Sequence, residues 1–272
     1  MKISVVLPSY KPQSYLGECL ESLANQTFSS SDFEILLILN GCDEPYRSYI
    51  KEFIKDKDMH NVCLIQTNKS GVSNARNIGL DQARGDYVTF IDDDDYVSPS
   101  YLEELYEKAS PDTISLCYPY AFNDGESDIQ LPHYYITRAY NYSVRQTGKL
   151  RLSSKIRKYF SSPCMKLIPM NFIQGRRFDM RFKNSEDSLF MFLISDRFRH
   201  FAITSPRAIY YRRYRLESAV MARRPFNVRL KNSFHICLAF SRIYFGNIFR
   251  YNTVFYLTRI LGQLKSLTSM LS

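Results

Sequence analysis

The sequence predicts an α/β protein in which helices cover both faces of a mostly parallel β-sheet. Two observations lead to this fold class. Along residues 1–120, short apolar segments alternate with segments whose apolar residues recur at helical spacing, and the connections between them are short. The strand-like segments are apolar at nearly every position rather than at every second one, which is typical of strands buried on both faces.

In chain order, the first half reads as strand and helix in turn. The first helix is expected from about Pro12, and another from Pro99, where Ser98 is a suitable cap and proline fits the first turn. The strands are expected at ISVVLPS, FEILLIL, VCLIQT, DYVTFI and TISLCY, and the remaining helices at YRSYIKEFIKD and VSNARNIGLDQA.

After about residue 120 the alternation is lost. We expect residues 122–150 to form a loop or lid, and the segment FKNSEDSLFMFLIS to begin a helix at Glu186, where the helix dipole favours carboxylates. The segment RAIYYRRYR is expected to be an edge strand that leads into a basic loop. From Pro225 onward the pattern is helical, aromatic and basic.

Charge divides the chain into two halves. Of the 272 residues, 1–128 hold 10 Lys and Arg against 22 Asp and Glu, whereas 129–272 hold 26 against 5, so the net charges are −12 and +21. Either the halves attract each other, or the basic half meets a polyanion such as a phosphate-rich substrate, an anionic membrane or nucleic acid. Charge by itself does not choose among these.

Cysteine usage and hydropathy indicate the compartment. The 6 cysteines include no C-x-x-C pair, which is typical of thiols in a reducing cytosol rather than of a disulfide framework or a zinc site. The N-terminal apolar run is too short for a signal peptide, and no segment reaches about 18 uninterrupted apolar residues. We therefore expect a cytoplasmic protein without a transmembrane helix.

Four consecutive aspartates, residues 92–95, follow the apolar strand DYVTFI, and we call them the aspartate row. In α/β sheets, ligands bind beyond the carboxyl ends of the strands, where this row lies. Because side chains alternate along an extended chain, Asp92 and Asp94 are expected on one side. Carboxylate oxygens with room for water and phosphate are ligands that Mg²⁺ or Mn²⁺ prefers. The alternative is an acidic turn that caps the next helix.

A helix that leads into the aspartate strand begins with small residues and Arg76, in the segment SGVSNARNIGL. Small side chains let a ligand approach the backbone, and Arg76 can pair with a phosphate or with the aspartates. The alternative is a well-packed helix, which is the better explanation for Ala75 and Gly79.

Four segments, taken in order, resemble the inverting glycosyltransferases of family 2, which have the GT-A fold. They are SVVLPSYKPQSYLGECLESLANQTF, FEILLILNG, SGVSNARNIGLDQARGDYVTFIDDDD and NSEDSLF. The resemblance covers residues 1 to about 220. It implies a GT-A domain over residues 1–220, with a nucleotide-sugar-binding half (1–120) and an acceptor-side half (121–220). Residues 221–272 then form a C-terminal helical extension.

The resemblance also implies roles for individual residues. The DxD motif falls at residues 92–94, which implies a divalent metal, Mn²⁺ or Mg²⁺. The implied set has Pro8, Tyr10 and Asn40 at the nucleotide base, Arg76 near the phosphates, Asp92 and Asp93 around the ribose, Asp94 on the metal, Asp187 as catalytic base with Glu186 as its partner, and Arg212 and Arg213 closing over the donor phosphates.

Two positions depart from the family pattern or have an alternative explanation. LNGCDE replaces the common DDGSTD after the second strand, so uncharged Asn40 stands where the family has an aspartate, and Asp43 or Glu44 is an alternative contact for the base. Arg212 and Arg213 also fit a solvated basic strand.

The implied activity is that of a metal-dependent hexosyltransferase. It transfers a sugar, with inversion, from a nucleoside-diphosphate sugar, most readily a UDP-sugar, to a hydroxyl of a glycan or lipid-pyrophosphate-linked acceptor in bacterial surface-polysaccharide biosynthesis, such as capsule or O-antigen. A metal neutralises the leaving diphosphate and a carboxylate takes the acceptor's proton.

Two other functions remain as alternatives. A sugar-nucleotide nucleotidyltransferase usually has a glycine-rich phosphate loop after its first strand, and LPSYKPQSY has none. A nucleic-acid-binding protein fits the basic half, although no nucleic acid is expected if the family resemblance holds.

The basic and aromatic C-terminal region also has two interpretations. Its helices either pack on the catalytic domain, as we favour for the leucine stripe over residues 257–271, or hold the protein peripherally at the anionic inner face of the cell membrane. The sequence leaves the oligomeric state open, a homodimer included.

Overall fold

A seven-stranded, mostly parallel sheet forms the centre of the protein, in a computed structural model that describes residues 1–146, 150–215 and 226–268. The strands are β1 (Ile3–Ser9), β2 (Phe33–Asn40), β3 (Val62–Thr67), β4 (Tyr87–Phe90), β5 (Tyr96–Val97), β6 (Thr113–Leu116), β7 (Tyr118–Asn123), β8 (Lys166–Pro169), β9 (His200–Ile203) and β10 (Ile209–Tyr214). The order in the large sheet is β3-β2-β1-β4-β8-β6-β9, and β8 is antiparallel to both of its neighbours.

The helices cover this sheet and extend it at the C-terminus. They are α1 (Tyr15–Ala24), α2 (Tyr46–Asp56), α3 (Val72–Gln82), α4 (Tyr101–Lys108), α5 (Tyr135–Ser143), α6 (Met170–Ile173), α7 (Glu186–Leu193), α8 (Phe226–Gly246) and α9 (Thr253–Thr268), with short 3₁₀ helices at Ile156–Ser161 and Ser195–Arg197. Every residue of β1 and β2 is buried, as the continuous apolar runs predict. The predicted α/β class with a mostly parallel sheet is confirmed.

A smaller sheet of order β5-β10-β7 stands beside the large one. Strand β10 pairs with β5 antiparallel, Tyr210 opposite Val97, and with β7 in parallel, Ile209 opposite Tyr118. The prediction of an edge strand at β10 is therefore wrong, because β10 is the middle strand. Since β4 and β5 are joined only by the aspartate row and its neighbours, that row connects the two sheets.

The segment 122–150 is more regular than predicted. It contains the end of β7 and helix α5, whose buried positions include Ile136, Ala139 and Tyr140. This spacing of three and four residues is helical, but the apolar positions are few and stand among polar residues and tyrosines, so the sequence pattern resembles a polar, aromatic loop. Residues 147–149 lie outside the described residues.

The C-terminal helices pack on α7. The ring of Phe192 in α7 lies 5.4 Å from that of Phe240 in α8 and 5.5 Å from that of Phe255 in α9. The hydroxyl of Tyr251 also donates a hydrogen bond of 3.0 Å to the carbonyl of Leu193. Residues 226–268 are thus in contact with the helix that carries Glu186 and Asp187.

The face of α9 that packs is not the predicted leucine stripe. Leu257, Leu261 and Leu264 are exposed, whereas Phe255 is buried. Across the described residues, no helix combines the length and the apolar character needed to span a bilayer.

Candidate active site

The site is built at the carboxyl ends of β1 and β4, where the aspartate row begins. Helix α3 brings its Arg76 to the row, because its Gly79 lets it lie close to the sheet: a Cβ at Gly79 would come within 2.5 Å of Val6 Cγ1 in β1. The N-terminus of α7 approaches the same point from the other half of the chain. Three distant segments therefore meet around one guanidinium.

Arg76 bridges two of the predicted carboxylates. Its Nη2 donates to Asp92 Oδ1 at 2.8 Å and its Nη1 to Asp187 Oδ1 at 2.5 Å, while its side chain is only 3% exposed. Burial lowers the pKa of the guanidinium, but the charges of Asp187 and Asp92 outweigh burial and raise the pKa above its ordinary value. Arg76 is therefore a permanent cation between the aspartate row and α7, and the prediction that it pairs with aspartates agrees with this geometry.

The other aspartates of the row each have a separate partner. Asp93 Oδ2 accepts a hydrogen bond of 2.6 Å from the Ser9 hydroxyl at the end of β1. Asp95, which is buried, accepts 2.7 Å from the Tyr210 hydroxyl and 2.8 Å from the backbone N–H of Arg213, both in β10. These contacts explain how consecutive carboxylates are tolerated at this position, and they tie the row to both sheets.

The row nevertheless keeps a strongly negative local field. Burial raises the pKa of Asp93 to about 7, and the charges of Asp94 and Asp92 contribute in the same direction. Burial and Asp92 raise the pKa of Asp94, and burial together with Asp94 raises that of Asp95 well above its ordinary value. A cation placed at the row would relieve this repulsion.

These residues fit a divalent metal held in an open site. Within residues 1–146, 150–215 and 226–268, no three His, Cys, Asp or Glu side chains form a closed metal cage. The oxygen-only donors and the local negative charge suit Mg²⁺ or Mn²⁺ whose remaining ligands are water and phosphate oxygens. The Asp94 side chain is 17% exposed and pairs with the cation Arg215 at 2.7 Å.

Glu186 and Asp187 occupy the first turn of α7, as predicted. Ser185 precedes them in a left-handed conformation with φ of 61°, and its hydroxyl accepts a hydrogen bond of 3.0 Å from Gln263 Nε2 in α9. Burial and the charge of Asp187 raise the pKa of Glu186 to about 7. Burial also raises the pKa of Asp187, while the Arg76 guanidinium acts against that rise.

The predicted base-contacting residues are placed differently. The Asn40 amide is buried, donating 2.7 Å to the carbonyl of Ser9 and accepting 2.9 Å from the N–H of Gly71. Pro8 is buried inside β1. This geometry does not support a direct contact of Asn40 or Pro8 with a base, because the Asn40 amide is hydrogen-bonded within the protein and the Pro8 ring is buried. Tyr10, by contrast, is 51% exposed.

The predicted arginine pair also has internal partners. Arg213 donates 2.8 Å to Asp124 Oδ1, 2.6 Å to Glu18 Oε2 and 2.9 Å to the carbonyl of Asp94, so its guanidinium is fully engaged. Arg212 points to the opposite face of β10 and donates 3.2 Å to the Tyr134 hydroxyl. Both guanidinium groups thus have partners within the protein, and the charge of Arg212 acts against the rise in the pKa of Asp187.

Arg215, which the sequence reasoning did not single out, reaches the row instead. Its Nε donates 2.7 Å to Asp94 Oδ2, and its Nη1 donates 3.1 Å to the hydroxyl of Tyr15, whose ring lies 4.5 Å beneath it. The signal that could have found it is the alternation of side chains, which puts Arg213 and Arg215 on the same side of the strand and its continuation.

Comparisons with known proteins agree with this architecture. GlyG, a glycosyltransferase of Streptococcus pneumoniae, is 31% identical over 193 residues, 65% of this chain and 62% of GlyG. The GalNAc(5)-diNAcBac-PP-undecaprenol β-1,3-glucosyltransferase of Campylobacter jejuni is 29% identical over 203 residues, 72% of this chain and 60% of that enzyme. The chain thus spans less than two thirds of the length of either curated relative.

A solved structure shows the same fold. Residues 1–349 of TarS from Staphylococcus aureus, in complex with UDP-GlcNAc, match with a TM-score of 0.69 and 24% identity, over 88% of this chain and 66% of that one. The fold is therefore GT-A-like, as predicted. The sequence profile of glycosyl transferase family 2 matches residues 4–174, which include Arg76 and the whole aspartate row. The chain belongs to glycosyl transferase family 2.

Proposed function

We propose that the protein transfers a sugar, with inversion, from a nucleoside-diphosphate sugar, a UDP-sugar by preference, to a hydroxyl of a glycan or lipid-linked acceptor in surface-polysaccharide synthesis. One observation carries the proposal. Buried Arg76 holds Asp92 of the donor-side row and Asp187 of α7 on the two ends of one guanidinium. That arrangement fixes a proton acceptor next to a diphosphate site, which sugar transfer by direct displacement requires.

The roles of the carboxylates follow from this arrangement. Asp187 accepts the proton of the acceptor hydroxyl. At the same time the hydroxyl oxygen bonds to the anomeric carbon, and the bond from that carbon to the diphosphate oxygen breaks. Glu186, with its raised pKa, lies beside Asp187 as the partner group. Because attack and departure occur on opposite sides of one carbon, the anomeric configuration inverts. A divalent metal on Asp94, Mn²⁺ or Mg²⁺, would neutralise the departing diphosphate.

The remaining site residues divide into contact and positioning roles. We assign Asp92 and Asp93 to the ribose and exposed Tyr10 to the base, on whose ring it can stack. Asn40 and Pro8 act as positioning residues, since Asn40 ties the end of β1 to the start of α3 through Ser9 and Gly71.

Relatives support the donor and acceptor classes. The TarS structure holds UDP-GlcNAc, and the Campylobacter relative is named for a glycan linked through pyrophosphate to undecaprenol. The two rival functions have less support: the chain belongs to a transferase family that is neither nucleotidyltransferase nor nucleic-acid-binding, and its Asp92 and Asp187 converge on one cation.

A screen of nucleotide sugars tests the proposal. Thermal unfolding with Mn²⁺ and each of a panel of UDP-, GDP- and dTDP-sugars should show a higher Tm with one UDP-sugar, because a bound ligand stabilises the folded state. The same UDP-sugar should be hydrolysed slowly to UDP in the absence of acceptor. No shift with any nucleotide sugar, while oligonucleotides bind with steep salt dependence, would contradict it.

We also propose peripheral attachment to an anionic membrane through the tip between α8 and α9. Phe245 is 67% exposed and Phe249 is 96% exposed at this tip, with Ile248 and Arg250 beside them. Residues 218–272 contain Arg and Lys but no acidic residue, which complements an anionic surface.

Point variants test the attachment better than truncation, because α8 and α9 also pack on α7. Phe249→Ser should lower flotation with liposomes rich in phosphatidylglycerol by about tenfold, as the transfer energy of an exposed phenylalanine predicts. Ile129→Ser removes another exposed apolar residue, 62% exposed on a loop of the small sheet, and should bind as the parent does. Equal flotation of the Phe249 variant would overturn the attachment.

A further inference from the structure

A second group of cations lies on the acceptor-side half, away from the aspartate row. It consists of Arg138 in α5, Lys155, Arg157 and Lys158 in and before the first 3₁₀ helix, and Arg259 in α9, and we call it the basic cluster. Burial lowers the pKa of Lys158, and Lys155, Arg138 and Arg157 lower it further. Burial and Arg157 lower that of Arg259 to about 9. Arg259 also donates a hydrogen bond to the carbonyl of Phe160, inside the 3₁₀ helix that carries Arg157 and Lys158, so the cations of the cluster lie near one another.

No carboxylate of the described residues balances these cations. In the described parts of the chain, no carboxylate forms an ion pair with any member of the basic cluster, whereas buried Arg76 holds two carboxylates and Arg176 holds Asp196 at 2.8 Å. Arg259 donates only to the carbonyl of Phe160, at 2.5 Å.

Two nitrogen atoms of the cluster lack a hydrogen-bond acceptor among the residues that the structure describes. The Nε atoms of Arg157 and Arg259 are buried and have no hydrogen-bond acceptor. A buried guanidinium N–H without an acceptor destabilises the folded state, and gathering like charges adds to that cost. Arg138 and Lys155 are exposed, so an anion from solvent can reach the outer side of the cluster.

The basic cluster lies beside the catalytic end of α7. Arg259 is four residues, or about 6 Å along α9, from Gln263. Gln263 Nε2 is in turn bonded to the Ser185 hydroxyl, directly before Glu186 and Asp187. The cluster is therefore next to the proposed base on the half of the domain opposite the nucleotide.

We propose that the basic cluster binds a phosphate group of the acceptor, so that the acceptor hydroxyl is presented to Asp187. The inference rests on the proposed function and extends it to the acceptor class, a glycan or polyol that carries a phosphodiester or pyrophosphate. The argument for phosphate over carboxylate is charge: several cations with paired N–H donors match a multiply charged oxyanion.

The test measures anion binding in the absence of metal, because the proposed donor site needs a divalent metal to hold the diphosphate. Calorimetry with inorganic pyrophosphate in EDTA should show saturable binding to the parent protein. Arg157→Gln should weaken it about tenfold, the worth of a charge-assisted hydrogen bond, and Arg157→Lys should recover part of the loss. Arg207→Gln, at a side chain 82% exposed that pairs with Glu104, is the matched control and should bind as the parent does.

Further arms separate the outcomes. UDP with Mn²⁺ should bind Arg157→Gln and the parent equally, which separates failure of this site from failure of the proposed donor site. Tighter binding of farnesyl pyrophosphate than of pyrophosphate identifies a lipid-linked acceptor. Tighter binding of glycerophosphate oligomers than of pyrophosphate identifies a phosphodiester polymer. Either result supports the site. Equal pyrophosphate affinity of the parent and Arg157→Gln, or displacement of pyrophosphate by UDP in EDTA, would overturn it.

Discussion

At the scale of single residues, the aspartate row is stabilised by partners from separate elements. Arg76 holds Asp92, the Ser9 hydroxyl bonds to Asp93, and Arg215 pairs with Asp94. Removing water from adjacent carboxylates is unfavourable, and these partners offset it without neutralising the row. The Arg215 guanidinium thus forms an ion pair with Asp94, the carboxylate that we propose as the metal ligand.

Because Arg215 pairs with Asp94, we expect Arg215 to compete with a divalent metal for this carboxylate. Arg215→Gln should raise the affinity for Mn²⁺ in the absence of nucleotide about fivefold, because a partly exposed ion pair of roughly 1 kcal/mol no longer competes for Asp94. Titration of free Mn²⁺ by electron paramagnetic resonance measures this. Arg177→Gln, which breaks the pair with Asp81 elsewhere, should leave the affinity unchanged. An unchanged affinity in the Arg215 variant would show that Asp94 does not hold the metal.

The motif residues of the predicted site converge in the structure, and their roles stay predictions. Arg76, Asp92 and Asp187 come from separate segments, and the structure brings them into contact. Asn40 and Arg215 were different, since their roles depend on contacts with Gly71 and Asp94 that no local pattern encodes. Side chains with several donors can serve the fold or the ligand, and only the three-dimensional arrangement decides which.

At the scale of elements, helix α3 positions the site by lying close to β1. Gly79→Ala should lower the free energy of unfolding by about 1–3 kcal/mol, the usual cost of overpacking, because the added Cβ meets Val6 Cγ1 at 2.5 Å. Val6→Ala in the same chain should recover part of that loss by vacating the contact. Denaturant unfolding of both single variants and the double variant measures the coupling; strict additivity would contradict the close contact.

Titration of Glu186 in helix α7 should lower the stability of the protein and raise its activity as pH increases. The native pKa of Glu186, about 7, exceeds its ordinary value of 4.5. Between these values the folded protein holds a proton that the unfolded chain has released, so stability falls as pH rises from about 4.5 to 7. Transfer should rise over the same range as the pair with Asp187 ionises.

Glu186→Gln tests this dependence, because it removes the titrating group while keeping its size. Its free energy of unfolding in metal-free buffer should fall less between pH 5 and pH 7.5 than that of the parent, as followed by urea unfolding at each pH. Glu52→Gln, on the exposed face of α2, serves as the control. The same pH slope in parent and Glu186 variant would contradict the raised pKa.

Elements differed in how far the sequence predicted them. β1 and β2 were predictable because every position is apolar or buried, so the pattern and the packing carry the same information. α5 and the central position of β10 were not, because tyrosine packs its ring inside and keeps a hydroxyl for hydrogen bonds, so a tyrosine-rich segment resembles a loop.

At the scale of the whole molecule, the charge division has a structural meaning. Carboxylates of the acidic first half meet arginines of the basic second half: Asp94 meets Arg215, and Glu18 and Asp124 meet Arg213. The basic cluster and the tip between α8 and α9 retain positive charge that no described carboxylate pairs with, so the halves attract each other and still present a basic surface. Attraction between the halves is therefore observed, and contact of the basic surface with a polyanion stays a prediction.

The central claim is that proton transfer and donor binding are carried by different carboxylates, Asp187 at the start of α7 and Asp94 in the aspartate row. Its most direct test compares Asp187→Asn with Asp94→Asn, using calorimetry of UDP with Mn²⁺ beside a transfer assay. Asp187→Asn should lose at least about a hundredfold in transfer rate, the usual worth of a general base, while binding UDP and Mn²⁺ within about threefold of the parent. Asp94→Asn should lose binding and transfer together. Equal loss of UDP binding in both variants, or transfer that persists in Asp187→Asn, would contradict the claim.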